Sequence, residues 1–141
     1  MPLEKSLEEA IRIATAAHAG QVDKAGQDYI NHLEAVASKC ETTPQKIVAW
    51  LHDTLEDTSV TAADLAQMFP AHIVDAVQAV TRQPNEDYFA FVRRAGSNPI
   101  ARAVKIADLT HNMDLSRLAA VTENDWERHK KYEQALLILN A

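Results

Sequence analysis

The stretch that decides the fold lies at residues 43–58 and reads TPQKIVAWLHDTLEDT. It opens with Thr43 and Pro44, a capping residue followed by a first-turn proline, which is typical of a helix N-terminus. A mainly apolar run continues to Leu51, so we expect a helix that is buried along most of its length. The run ends in His52 and Asp53, polar groups that a buried helix rarely carries without a partner.

The same kind of signal recurs along the chain and predicts an all-α fold. Asn98 and Pro99 repeat the cap-plus-proline pair ahead of a helix at about 100–113. A capping box of Ser6 and Glu9 predicts a helix that ends near residue 18, and a second helix is expected over about 29–39. Thr61 should cap a helix that ends near residue 68, and Pro70 should open the next one. The last two helices are expected to start at Asn85 or Glu86 and at an Asn124 cap. Residues 20–28 read as a polar loop. Since no segment alternates like a strand, we expect one compact helical bundle, a single domain over residues 1–141.

Composition narrows the classes of function. The chain has 141 residues, is 47% hydrophobic and carries a formal net charge of -6. That balance argues against a nucleic-acid partner, because such a binder needs a basic face. No apolar segment approaches the roughly 20 residues that cross a bilayer, so we expect no membrane partner. Because Cys40 is the single cysteine, we expect a cytoplasmic protein without an intrachain disulfide. The apolar faces of the terminal helices can pack internally or against a second copy, so a monomer and a homodimer both stay open.

Polar residues cluster where the first of these helices ends. A histidine and three carboxylates lie between His52 and Asp57. Glu56 follows His52 and Asp53 by about one helical turn, so it shares their face. Acidic groups at the C-terminal end of a helix oppose the helix dipole, and a divalent cation would offset that cost.

Two other segments carry residues that suit the same cation. His32 stands near the start of a predicted helix, after the polar loop, and Asp108 lies in an otherwise apolar helix. A carboxylate among apolar residues is normally paired or metal-bound. The candidate metal ligands are therefore two imidazoles and two carboxylates: His32, His52, Asp53 and Asp108. This nitrogen and oxygen set suits one divalent ion, with manganese, iron, zinc and cobalt as the options.

Six short pieces, in order, resemble the HD-domain metal-dependent phosphohydrolases, and among them the RelA/SpoT-type hydrolase domain and the small alarmone hydrolases. The pieces are AHAGQ at 17–21, KAG at 24–26, YINH at 29–32, LHD and EDT at 51–53 and 56–58, VTR at 80–82, and VK through HN at 104–112. The resemblance implies an all-helical fold and one divalent metal, usually manganese. It also implies a small-molecule nucleotide substrate, guanosine with diphosphates at its 5′ and 3′ positions, from which the 3′-pyrophosphate is removed.

The resemblance also assigns roles to single residues. The four candidate ligands match the metal ligands of the family. Glu56 and Asp57 match its catalytic acidic pair. Lys24 matches a basic residue near the nucleotide, and Asn112 matches a polar contact in the pocket. Tyr29 borders the polar loop and is a third candidate for substrate binding.

Asp23 departs from the family pattern, which commonly has an arginine beside Lys24. A carboxylate there would repel phosphate and change the base preference, so adenosine analogues of the substrate stay open. Two alternatives also stay open: an HD-type phosphohydrolase acting on another nucleotide phosphate ester, and a nucleotide-binding regulator without turnover. We leave His111 outside the ligand set, and we expect His129 at the surface and Trp126 in the core.

Overall fold

The computed structural model describes residues 3–23 and 25–141, which contain nine α-helices, one 3-10 turn and no β-strand. The helices are α1 (Leu3–Ala17), α2 (Tyr29–Ser38), α3 (Thr43–Leu51), α4 (Thr54–Asp57), α5 (Ala62–Ala66), α6 (Ala71–Ala79), α7 (Tyr88–Gly96), α8 (Pro99–Asn112) and α9 (Glu123–Leu139). The 3-10 turn at Leu115–Arg117 links the last two. The all-α prediction is confirmed.

None of the helices described combines the length and the apolarity that spanning a bilayer requires.

Most helix starts follow the capping signals of the sequence, with small shifts. The cap of α3 is Thr42 rather than Thr43, because Thr42 has Gln45 three residues later and the two close a capping box. For the same reason Thr122, with Asp125, caps α9 in place of Asn124. The predicted Ser6–Glu9 box is wrong, because α1 already begins at Leu3 and Ser6 is buried inside it.

The start of α7 also differs from the prediction. Its cap is Asp87, whose carboxylate accepts a hydrogen bond from the Ala90 amide, and not Asn85 or Glu86. Asn85 instead has a φ of 64°, the left-handed conformation of a tight turn, which a helix start does not use.

The core is built around α3, which packs against α1, α2, α6 and α8. Residues 47–51 are all buried, so this helix is surrounded by protein on most sides. A second cluster joins α7, α8 and α9 through Phe91, Leu109 and Leu139. Trp126 is 52% exposed in the first turns of α9, so the prediction of a core role is wrong. Because α2, α3 and α8 are neighbours, buried polar residues on these three helices come together.

A network around Arg94 ties α7 to the end of α6. The guanidinium donates to the carbonyls of Gln78 at 3.1 Å and Thr81 at 2.8 Å. It also makes a bidentate pair with the Glu86 carboxylate, at 2.9 Å for both bonds. The hydrogen bonds from Arg94 lower the pKa of Glu86 to about 2. One side chain thus holds the otherwise irregular segment between the two helices.

We expect Arg94→Met to lower the free energy of unfolding by about 1–3 kcal/mol, because it leaves two carbonyls and a carboxylate without their donor. The matched variant Arg93→Met, next to it in α7, should change it by less than about 0.5 kcal/mol. Urea unfolding followed by circular dichroism measures both.

The same pair predicts a pH dependence. Glu86 has its pKa lowered from 4.5 to about 2 in the folded protein, so its contribution is present above the unfolded value and is lost as the pH falls towards 2. The stability difference between wild type and Arg94→Met should therefore shrink below pH 4.5. A difference that is constant down to pH 2 would contradict this account.

Candidate metal centre

The end of α3 brings two adjacent side chains to one side. Neighbouring residues of a continuous helix point about 100° apart. Here α3 stops at Leu51, His52 is its C-cap, and Asp53 has φ -105° and ψ 2° before α4 starts. As a result, Nε2 of His52 lies 3.0 Å from Oδ2 of Asp53. The break in the helix is what allows both residues to reach one ion.

The imidazole of His52 is held in one orientation, in which Nε2 faces the carboxylates of Asp53 and Asp108. Its Nδ1 donates to the Ala49 carbonyl at 2.6 Å, which leaves Nε2 facing Asp53 and, at 3.5 Å, Oδ1 of Asp108. Nε2 is buried and makes no hydrogen bond within the described residues. Burial disfavours the charged imidazole, but the two carboxylates outweigh it, so the pKa of His52 is raised well above its ordinary value. A buried nitrogen that faces carboxylates without hydrogen-bond geometry fits a metal ligand.

Asp108 lies at the middle of the centre and is nearly enclosed, at 7% exposure. Its Oδ1 is 3.0 Å from Nε2 of His32 and accepts from Asn112 at 3.1 Å, while Oδ2 accepts from Lys105 at 3.1 Å. Burial alone would raise the pKa of this carboxyl, but Lys105, His32 and His52 hold it well below its ordinary range. Asp108 is therefore ionised where a cation would sit.

The remaining two ligands are oriented by residues behind them. The Tyr29 hydroxyl donates to Oδ2 of Asp53. Nδ1 of His32 lies 2.7 Å from Nδ1 of His111. Burial, together with Arg117 and His32, lowers the pKa of His111 to about 4, so its ring is neutral and its Nδ1 can accept. We assign the shared proton to His32, the tautomer that leaves Nε2 of His32 for a metal.

The donor set fits one divalent cation. One ligand atom each from His32, His52 and Asp53 lie within 4.8 Å of one another, and Asp108 is in contact with both imidazoles. Two imidazole nitrogens with carboxylate oxygens suit a divalent transition metal such as manganese, iron or zinc. The buried, unpartnered Nε2 of His52 is the observation that supports this fit.

A cluster of three carboxylates adjoins the candidate metal ligands. Carboxylate oxygens of Asp53, Glu56 and Asp57 lie within 4.8 Å of one another, and both Glu56 and Asp57 are exposed. Partial burial and the neighbouring carboxylates raise the pKa of Glu56 and of Asp57. These two groups stand at the mouth of the centre rather than inside it.

The centre lies at one side of a cavity of about 450 Å³, a volume typical of small-ligand sites. Tyr29, His32, Asp53, Glu56, Asp108 and Asn112 line it on the metal side. The rest of the wall comes from the polar loop, the 3-10 turn and α9, and includes Asp23, Arg117, Asp125, Arg128, His129 and Tyr132. His129 was expected at the surface and instead lines this wall.

The negative charge of Asp23 is offset by its neighbours in the structure. Its Oδ1 accepts from the amides of Ala25 at 2.9 Å and Gln27 at 3.0 Å, and its Oδ2 accepts from Arg117 at 2.6 Å. Arg117 offsets the charge from which we expected this carboxylate to repel phosphate. Arg117 is 94 residues away in the chain, so the sequence around Asp23 gives no sign of it.

Two of the three predicted substrate-binding residues line the cavity. Tyr29 and Asn112 line the cavity, and each also donates to a carboxylate of the metal centre. Lys24 lies outside the described residues. Arg82 lines a neighbouring cavity together with Glu56.

Two residues that contact the candidate ligands were given no role there by sequence reasoning: Lys105, and His111, which was left outside the ligand set. Both lie three residues from Asp108, one on each side, and this helical spacing is the signal that points to them.

Comparisons with known proteins find relatives whose names refer to (p)ppGpp or to GTP pyrophosphokinase activity. No protein-family model matches the chain. It is 30% identical over 126 residues to the bifunctional (p)ppGpp synthase/hydrolase SpoT of Escherichia coli (strain K12), covering 77% of this chain and 18% of that protein. It is 31% identical over 124 residues to the probable GTP pyrophosphokinase of Mycobacterium leprae (strain TN), covering 79% of this chain and 16% of that protein. The chain thus spans less than a fifth of the length of these curated relatives.

A solved structure has the same fold. It is that of a metazoan ortholog of SpoT, a protein that hydrolyzes ppGpp and plays a role in starvation responses. It superposes with a TM-score of 0.76 at 21% sequence identity, over 95% of this chain and 85% of that one. The likeness confirms the predicted helical fold.

We expect His52→Ala to abolish binding of Mn²⁺, because it removes a buried ligand and leaves two carboxylates without their counter-charge. His72→Ala, which removes an exposed histidine of α6, should bind one ion like the wild type. Titration calorimetry and elemental analysis after gel filtration measure both. Unchanged stoichiometry and affinity in His52→Ala would exclude His52 as a ligand.

Proposed function

The chain resembles the RelA/SpoT-type (p)ppGpp enzymes in sequence and shares the fold of a metazoan SpoT ortholog, and from this premise we propose that it is a metal-dependent pyrophosphohydrolase. The proposed substrate is guanosine 3′,5′-bis(diphosphate) or its adenosine analogue, and the proposed reaction releases the 3′-pyrophosphate. The observation that carries the proposal is the meeting of His32, His52, Asp53 and Asp108 at one side of a nucleotide-sized cavity. We place this activity in one domain of residues 1–141 and in the cytoplasm.

The metal in this proposal is one divalent ion, manganese in the first place. His32, His52, Asp53 and Asp108 would hold it. When bound, such an ion acidifies water and withdraws charge from phosphoryl oxygens. His111 and Lys105 keep the ligand atoms oriented, because each bonds to the far side of a ligand, and Tyr29 fixes Asp53 by donating to Oδ2, the oxygen that faces His52.

The chemical step needs groups that move protons. Water is consumed, the ester bond to the 3′ position breaks, and the products are a nucleoside 5′-diphosphate with a free 3′-hydroxyl and pyrophosphate. Glu56 lines the cavity and Asp57 lies beside it, so these carboxylates are placed to take a proton from the attacking water and to return one to the leaving group. A regulator without turnover would have no use for this pair.

The wall formed by the polar loop, the 3-10 turn and α9 is the natural place for the nucleoside. Tyr132 lies there together with Arg117 and Arg128, each of which is paired with a carboxylate. These pairs make the wall polar without a large net charge, which suits a base and ribose better than a diphosphate. Asn112 and Tyr29 line the same cavity beside Asp108 and Asp53, where they can contact the ribose.

The decisive experiment loads the protein with Mn²⁺ and offers a panel of nucleotides, with pyrophosphate and orthophosphate assayed separately. We expect pyrophosphate and a nucleoside 5′-diphosphate from the bis(diphosphate) substrates. Turnover of a monophosphate or a dinucleotide instead would move the chain to another phosphate ester. Nucleotide binding with full metal occupancy and no product would identify a regulator.

We expect Glu56→Gln to lower kcat by about 10²–10⁴-fold, because the amide cannot move a proton. Metal stoichiometry should stay at one, since Glu56 is not among the ligands. Glu8→Gln, on the exposed face of α1, is the matched control and should keep wild-type turnover. Steady-state kinetics with metal analysis of the same samples measures both, and full activity of Glu56→Gln would remove Glu56 from the mechanism.

A further inference from the structure

Three cationic side chains from different parts of the chain meet around Tyr88. Lys131 of α9 places its Nζ 3.9 Å from the centre of the Tyr88 ring. The guanidinium of Arg82, in the loop after α6, lies 5.6 Å from the same centre, and Nζ of Lys105 in α8 lies 5.9 Å from it. Helix packing has thus gathered positive charge at one place, next to the metal centre.

Two members of this cluster have no ion-pair partner among the described residues. Lys105 is paired with Asp108, but within residues 3–23 and 25–141 neither Arg82 nor Lys131 has a carboxylate within 4.0 Å. The pKa of Lys131 is lowered by partial burial and by the neighbouring Arg82 and Lys105. Holding like charges together costs free energy that an anion would recover.

The Tyr88 hydroxyl provides a second, independent observation. It is buried and has no hydrogen-bond partner among the residues that the structure describes. A buried hydroxyl normally has a partner, and one left without it is a donor available to a ligand. The three cationic groups make cation–π contacts with the ring of the same residue, so the hydroxyl and the positive charges lie close together.

The position of the cluster relative to the metal centre points to its ligand. Glu56 lines both the metal cavity and the adjoining cavity that contains Arg82. Among the residues that line the metal cavity, Arg117 and Arg128 are each paired with an aspartate. Among the described residues of the cluster, the positive charge without an ion-pair partner therefore lies at Arg82, which lines a cavity with Glu56, and at Lys131.

We propose that Arg82, Lys131 and the Tyr88 hydroxyl form an anion subsite that takes the pyrophosphoryl group, which is transferred from the 3′ oxygen to water and released as pyrophosphate. This inference rests on the proposed function, and it fixes the direction in which the nucleotide lies: nucleoside towards Arg117 and the polar loop, pyrophosphoryl group towards Arg82 and Tyr88. The subsite neutralises the terminal phosphate, which the metal ligands do not reach, and so favours substrates with a diphosphate over those with a monophosphate at the scissile position.

The test measures binding of inorganic pyrophosphate to the Mn²⁺-loaded full chain by calorimetry. Lys131→Met should raise the dissociation constant about tenfold, the effect of losing one charge-assisted contact. Lys130→Met is the matched control, because the neighbouring lysine is exposed and lies 3.8 Å from Glu127. It should change the constant less than about twofold. Equal effects of the two substitutions would overturn the subsite.

A second variant, Tyr88→Phe, distinguishes loss of the anion subsite from a purely structural effect of Lys131→Met. It keeps the ring on which the cations lie and removes only the hydroxyl, so we expect wild-type thermal stability and a pyrophosphate dissociation constant raised about threefold or more. A constant identical to that of the wild type would remove the hydroxyl from the subsite and overturn the proposal as stated.

Failure of the subsite and failure of the proposed function give different results. If the wild type releases pyrophosphate from the nucleotide but Lys131→Met binds pyrophosphate normally, the subsite is wrong and the function stands. If no nucleotide is hydrolysed but pyrophosphate binding depends on Lys131 and Tyr88, the function is wrong and the anion site stands.

Discussion

The buried carboxylate of Asp108 is the constraint on which the rest of this structure depends. An ionised group inside a helical core costs several kcal/mol unless it is surrounded by partners. Here the partners arrive from three helices: His32 from α2, His52 from the end of α3, and Lys105 and Asn112 from α8 itself. The same contacts that compensate the charge gather the candidate ligands of a divalent cation, so in our proposal fold stability and metal binding depend on one set of atoms.

The charged side chains near this centre fall into two groups. Arg117 and Arg128, which line the cavity, are each matched by an aspartate, and Asp23 in particular is tied to Arg117 and to two backbone amides. Arg82, in the loop after α6, and Lys131 of α9 lie around Tyr88 without such partners among the described residues. A nucleotide carries its neutral and anionic parts at different ends, and this division gives the cavity a direction.

Local signals in the sequence predicted much of the fold and the inner part of the site. Capping residues and first-turn prolines placed the helices, and polar residues in apolar helices identified His32, His52, Asp53 and Asp108. The pairs that depend on tertiary packing could not be predicted. His32 with His111 and Asp23 with Arg117 are 79 and 94 residues apart in sequence. Trp126 shows the same limit, since helical spacing does not tell which part of α9 is covered by α7 and α8.

The central claim is that four side chains hold one divalent ion, and its most direct test is anomalous diffraction at the manganese edge from crystals grown with Mn²⁺. The account predicts one strong peak, between the Nε2 atoms of His32 and His52 and the carboxylates of Asp53 and Asp108. A peak on Glu56 and Asp57 that leaves Asp108 bonded only to protein, or no peak beside His52, would contradict it.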